Sequence, residues 1–185
     1  MTRIHTVAAA FVGLLLPLGN GLSHNGDEKP AVSINDRTAE EVIEHLNLAP
    51  NTLEKGFFAE TFHDADTVPG SDRAYSTAIY YLLKSSEGSS VWHRLDAVEV
   101  WHYYAGAPLT LSLWPGGDEA PRDVVLGPDV FNGEQPQVVI QKGEWQSARS
   151  EGEWTLVGTT VAPAFVDTGA EFADPGWTPT GAEED

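Results

Sequence analysis

The chain contains no cysteine. That excludes disulfides, thiolate catalysis, Cys-ligated zinc and iron–sulfur clusters together. Cations are scarce: ten Lys+Arg stand against 28 Asp+Glu, a formal charge of -18 over 185 residues. So acidic a surface repels phosphate backbones and anionic headgroups, so neither nucleic acid nor a membrane surface is expected as a partner. No apolar run reaches the ~20 residues of a membrane-spanning helix. Also missing are a Gly-x-Ser-x-Gly elbow, a phosphate loop, a dinucleotide fingerprint and a His-Glu-x-x-His zinc pattern. No Asn-x-Ser/Thr sequon occurs, so N-glycosylation is not expected.

What is present is 41% hydrophobic and 10% aromatic residues, enough for one core in one domain. Residues 1–23 read as a secretory signal peptide: Arg3 and His5, the uncharged Val7–Leu18, then mostly small residues up to a cut after Gly21 or Ser23. The expected location is therefore outside the cell, the alternative being cytoplasmic. Residues 24–37 are polar, contain Gly26 and Pro30, and read as a linker. Thr38-Ala-Glu-Glu41 is a capping box, and Val42, Ile43 and Leu46 give an apolar face at helical spacing. One short helix over 39–47 is expected, ended by Pro50.

From Gly56 the period becomes strand-like. Nine short runs, rich in aromatic and β-branched residues, span 56–63, 74–83, 89–95, 97–104, 109–113, 123–126, 137–140, 144–150 and 154–161. The turns between them are too short for crossover helices, so the expected fold is all-β and antiparallel, a sandwich or barrel. The tail from 167 to 185 is rich in Gly, Pro and acids; Phe165, Phe172 and Trp177 are the residues that could pin it down.

Ser89–Gly106 (SSVWHRLDAVEVWHYYAG) carries the chemistry. Positions of equal parity on a strand face one side, so His93, Leu95, Glu99, Trp101 and Tyr103 share a face unless a bulge intervenes. Arg94, His102 and Tyr104 face the other way. An imidazole and a carboxylate converging inside a barrel make either an acid/base pair or part of a metal site; a satisfied structural pair is the alternative. Trp92, Trp101, Trp114, Trp145 and Trp154 read mainly as core. Trp101 and Tyr103 are the favoured wall residues because they share the parity of Glu99. Glu60 on an early strand is a weaker candidate for contact with ligand.

His93, Glu99 and Gly106 keep the spacing of the first cupin motif. Together with TAIYYLL at 77–83, WHRLDAVEVWHYYAGAPL at 92–109, KGEWQSAR at 142–149 and WTLVGTTVAPAF at 154–165, the chain resembles the small single-domain cupin-5 family from about Thr38 to Phe165. The resemblance implies a jelly-roll cupin domain over 38–166, of the type seen in deoxysugar 3,5-epimerases and usually dimeric, with a small-molecule pocket at its open end. It also implies departures. Leu95 replaces the second His of the motif, and Gln146 stands where a third His would be. His93, Glu99 and Gln146 then form a weak metal set, so the expected cofactor is none or a loosely bound divalent ion. The family's early Glu-Gly-Gly-Tyr-Phe-Arg-Glu-Thr is Glu54-Lys55-Gly56-Phe57-Phe58-Ala59-Glu60-Thr61 here, without the Arg, and its Pro-Gly-Phe is Pro163-Ala164-Phe165.

The functional expectation is an isomerase or epimerase working by proton transfer on a sugar-like or secondary-metabolite carbonyl compound. In it His93 is the base, Glu99 orients it or takes the proton, and Gln146 hydrogen-bonds the developing oxyanion. The alternatives are a secreted, non-catalytic sugar-like ligand-binding protein and a weak-metal oxygenase. The expected partners are a small molecule and a second copy of the chain.

Overall fold

The computed structural model describes residues 32–180. The segment expected to be a signal peptide, most of the expected linker and the last five residues lie outside this range. Thr38 caps helix α1 (Ala39–Leu46): its side chain accepts from the Glu41 amide, and the Glu41 carboxylate accepts from the Thr38 amide. This is the capping box of the sequence. The helix stops at Asn47, whose φ of 53° and ψ of 44° put it in the left-handed region. Termination thus comes three residues before Pro50, which instead joins a two-residue strand.

The strands are β1 (Ala49–Pro50), β2 (Phe57–His63), β3 (Thr77–Lys84), β4 (His93–Leu95), β5 (Val98–Gly106), β6 (Leu109–Trp114), β7 (Arg122–Leu126), β8 (Gln137–Ile140), β9 (Trp145–Ser150), β10 (Trp154–Ala162) and β11 (Ala170–Phe172). They form two antiparallel sheets, ordered β1-β2-β3-β10-β5-β8 and β11-β4-β9-β6-β7. All nine expected strands are present. The expected jelly roll is therefore the architecture observed, with two short strands added at the ends.

Alternation decides which residues face inward. Leu109, Leu111 and Leu113 of β6 are fully buried, as are Tyr81 and Leu83 of β3 and Val157 of β10; they meet in the core between the sheets. On the outer side of the six-stranded sheet, Leu82, Ala105, Trp154 and Leu156 receive Ala39 and Val42 of the helix. Covering these residues removes from water an apolar patch that one sheet alone would expose.

β5 carries the bulge that parity arguments must respect. Leu156 pairs with Ala105 and Val157 with Tyr103, leaving Tyr104 unmatched. Glu99, Trp101 and Tyr103 precede the bulge and keep one face; Ala105 follows it and packs under the helix. Gly106 closes the strand at φ 87°, where a Cβ would run into the Trp154 carbonyl oxygen, so glycine is required there.

The ends of the described chain are part of the domain. Asn35 Oδ1 accepts from the Gly106 amide at 2.8 Å and the Arg37 carbonyl from Trp154 Nε1 at 3.1 Å, so residues 32–37 dock on the barrel. The acidic tail does likewise. Its strand β11 pairs with β4, and Trp177 packs among Trp92, Trp114 and Trp145, with ring centroids 4.6 Å from Trp145. A domain boundary at 166 is thus too early: the fold continues through the aromatic anchor.

Candidate functional site

A cavity of about 160 Å³ opens between the sheets at the end where β4 and the first half of β5 meet β2 and β3. That volume is close to the ~150 Å³ that accommodates a benzene-sized molecule. His93, Glu99, Trp101 and Glu60 border it, as do Glu54, Tyr81 and Asp167.

His93 is 2% exposed. Its Nδ1 lies 2.9 Å from the Val91 carbonyl oxygen. A carbonyl only accepts, so Nδ1 carries the proton, and in the neutral ring Nε2 is the free base. Phe172 of β11 stacks on the imidazole at 5.6 Å with the ring planes 29° apart. Backbone and stacking partner therefore orient His93. The expectation that Glu99 does so is not met, for Glu99 is bonded elsewhere.

Glu99 Oε2 accepts from Gln146 Nε2 at 2.6 Å, and Gln146 Oε1 accepts from Trp101 Nε1 at 3.0 Å. Gln146 is 1% exposed and is not among the residues bordering the cavity. It stands behind Glu99 and fixes both that carboxylate and the Trp101 ring. With its carbonyl oxygen already engaged and its amide given to Glu99, it is a positioning residue, one layer removed from an oxyanion or a metal. Trp101 also meets Tyr81 edge to face at 5.9 Å.

Tyr103 does not reach the cavity. Two residues along a strand move a side chain about 6.8 Å, which places Tyr103 in the packed region between the sheets, its hydroxyl donating to the Gly106 carbonyl. Glu60 is exposed at the cavity mouth, 3.4 Å from His63 Nδ1. Ala59 packs on the outer, helix-side cluster beside Tyr80, so the Arg that the family pattern has there belongs to the opposite face from the cavity. Ala164 has no positive φ. It is buried, and its amide donates to the Ala74 carbonyl at 3.0 Å. His102 lies on the outer face, 3.2 Å from Gln137 Nε2.

Residue parity missed Glu54. It sits between the helix and β2 in a turn built by Asn51, whose Oδ1 accepts from the Leu53 and Glu54 amides. Its side chain is 17% exposed, with Oε1 3.9 Å from His93 Nε2. Burial raises its pKa above the ordinary 4.5; His93 opposes the shift and Glu99 adds to it. Burial likewise pushes the Tyr81 phenol well up, helped by the charges of Glu54, Glu87 and Glu99. Its hydroxyl stays protonated and donates to the Lys55 carbonyl. The signal for Glu54 was its place in the early motif, two residues before Gly56, which no strand argument could use.

The donor set does not fit a firmly held divalent ion. Leu95 offers hydrocarbon, Gln146 is fully engaged, and among the described residues no group of three or more His, Asp or Glu is disposed to hold a metal. What remains is one imidazole, its Nε2 3.9 Å from the Glu54 carboxyl, in a small chamber that Glu60, Glu99 and Asp167 also border.

The sequence profile of Cupin_5, described as Cupin superfamily (DUF985), matches residues 40–173. The chain belongs to this family. Among solved structures it is similar to a protein from Shewanella oneidensis, at 31% identity and TM-score 0.67, covering 74% of this chain and 85% of that one. It is also similar to a hypothetical protein from Leishmania major, at 28% identity and TM-score 0.66, covering 73% and 86%. CapF with the inhibitor 3-isopropenyl-tropolone shares the fold, at 15% identity and TM-score 0.51, covering 68% of this chain and 33% of that one. No functionally curated protein matches. The cupin match accounts for the two antiparallel sheets and extends past Phe172, in agreement with a tail that completes the site.

Proposed function

We propose that this cupin is a small-molecule isomerase that moves a proton at a carbon beside a carbonyl. One observation carries the reading: His93, oriented through Nδ1 by the Val91 carbonyl, turns Nε2 to within 3.9 Å of the Glu54 carboxyl, whose pKa burial raises. An imidazole nitrogen and a carboxyl group this close in one chamber can serve as base and acid.

In this scheme Nε2 takes the hydrogen from the carbon beside the carbonyl. The protonated Glu54 donates its O–H to the carbonyl oxygen, so the electron pair of the C–H bond ends in an enol and Glu54 becomes a carboxylate. For isomerisation the imidazolium returns its proton either to the opposite face of that carbon after the enol has turned, or to the neighbouring carbon of an enediol, while the Glu54 carboxylate recovers its own proton from an enol oxygen. Each group is expected to contribute about 10²–10⁴-fold. Trp101, Tyr81 and Glu99 border the chamber as well.

The test is incorporation of solvent deuterium into sugar-like ketones, followed by proton NMR. The wild-type protein should exchange the α-hydrogen, and His93→Ala should lower the rate at least 100-fold while the circular dichroism spectrum is kept. Saturable ligand binding without exchange would reject the reaction in favour of the second reading, a ligand-binding cupin. That reading draws on the engagement of Gln146, which leaves Glu54 as the oxyanion donor. We read the chain as secreted and dimeric; mass spectrometry of the mature N-terminus near His24, and light scattering, test these two points.

A further inference from the structure

We propose that the cavity selects a small cation, an ammonium-bearing carbonyl compound, over phosphorylated or carboxylated ones. This rests on the isomerase reading for the carbonyl but on separate observations for the charge.

The first observation is what the chamber leaves unbonded. His93 is 2% exposed, yet Nε2 makes no hydrogen bond among the described residues. Glu99 is 6% exposed; Oε2 is held by Gln146, and Oε1 has no donor among the described residues. Both atoms are acceptors open to the cavity, and a ligand that displaces the water there leaves them without donors unless it supplies its own. The ligand must therefore bring N–H or O–H groups of its own.

The second observation concerns sign. Glu54, Glu60, Glu99 and Asp167 border the cavity, and no lysine or arginine does. Nearby cations are tied elsewhere. Lys55 Nζ donates to the Glu87 and Ser89 carbonyls, and the Arg73 guanidinium is bidentate on Asp96. A phosphate or carboxylate in this chamber would meet only like charge. An ammonium would meet the Glu99 oxygen, and the aromatic residues Trp101, Tyr81 and Phe58 that border the same chamber are compatible with a cation.

The roles then divide without conflict. Glu99 Oε1 takes the ammonium, while Glu54 and His93 remain for the carbonyl oxygen and the carbon-bound hydrogen. An ammonium on the reacting carbon also acidifies that C–H bond, which eases its removal by an imidazole. The volume of about 160 Å³ admits one six-membered ring or a short chain, far less than a nucleoside diphosphate sugar.

The test uses three probes with one ring and three charges: cyclohexylammonium, cyclohexanol and cyclohexanecarboxylate. Each is titrated into the full-length protein by calorimetry at pH 7.5. The ammonium should bind at least tenfold more tightly than the carboxylate, with the alcohol between. Because the whole chain is acidic, the series is repeated at about 1 M salt, where the Debye length is about 3 Å and only contact pairing survives. The order should persist there.

Glu99→Gln should bring the ammonium down to the level of the alcohol. If that variant unfolds, Asp167→Asn, nearer the surface, should weaken ammonium binding about twofold and leave the alcohol unchanged. Carboxylate binding as tight as the ammonium, no saturable ammonium binding, or a preference that vanishes in salt or survives every folded variant overturns the proposal. Ammonium selectivity without deuterium exchange would leave this inference standing and remove the reaction. Exchange on neutral ketones with no ammonium preference would do the reverse.

Discussion

Gln146 donates to the Glu99 carboxylate at 2.6 Å while accepting from the Trp101 indole, so one amide sets the position of two residues on the cavity wall. Both partners are almost wholly buried. Gln146→Leu strands a buried carboxylate and an indole N–H together and should cost about 2–3 kcal/mol in urea unfolding. Adding Glu99→Leu should lose much less than the sum of the two single changes, because the pair disappears together. Strictly additive losses would show that the amide does not hold the carboxylate.

Glu54 links stability to pH. Its folded-state pKa is raised by burial, so the folded chain holds this proton more tightly than the unfolded chain. The contribution is fully present below the ordinary 4.5 and is lost as pH rises through the folded value. Glu54→Gln should therefore gain stability relative to the wild type across that interval and hold a constant difference above it. Denaturant midpoints measured from pH 4 to 8 would show this, and a difference independent of pH would contradict a Glu54 pKa raised by folding. Turnover of the wild type should fall on the alkaline side of the same interval, and Glu54→Gln should be slower throughout.

Phe172 stacks on His93 without bordering the cavity. Phe172→Ala should cost about 1–2 kcal/mol, an aromatic contact plus modest area. It should also lower kcat while leaving KM nearly unchanged, because the base loses its orientation and the ligand loses no contact. Phe172→Tyr should restore kcat. An equal rise in KM would instead place the ring in the binding surface.

Arg73 ties two distant segments together. It is bidentate on Asp96 and also donates Nε–H to the Ala164 carbonyl, next to Phe165 and ahead of Asp167. The Arg73 guanidinium, by hydrogen bonding, holds the Asp96 carboxyl below its usual range. Asp96 is half exposed, so solvent screening reduces the benefit, and Arg73→Ala should cost about 1–2 kcal/mol. The same change should weaken ligand binding through the loosened turn. Unaltered affinity would mean that the turn holds its place without Arg73.

Strand existence and facing were legible because period-2 patterning and turn residues report directly on pleat and hairpin. His93, Leu95, Glu99 and Trp101 share the inward face that parity assigns. Parity gives direction only. It could not say how deep the cavity runs, so Tyr103, correctly inward, lies past its floor. Nor could it place Glu54 or Asp167, which reach the chamber from turns where no alternation operates. Motif alignment found Gln146, but only coordinates reveal that Trp101 and Glu99 already occupy its amide. Composition singled out Phe172 and Trp177 as anchors of the tail, but not their partners, which are His93 for the first and Trp92, Trp114 and Trp145 for the second.

The segment from Phe165 to Phe172 makes the chamber separable from the core. Phe165 and Asp167 border the chamber, and Phe172 stacks on His93. Both sheets can form without β11, an edge strand, and still leave that wall unfinished. A protease cut just ahead of Phe165 would thus open the candidate site while sparing most of the hydrophobic interior.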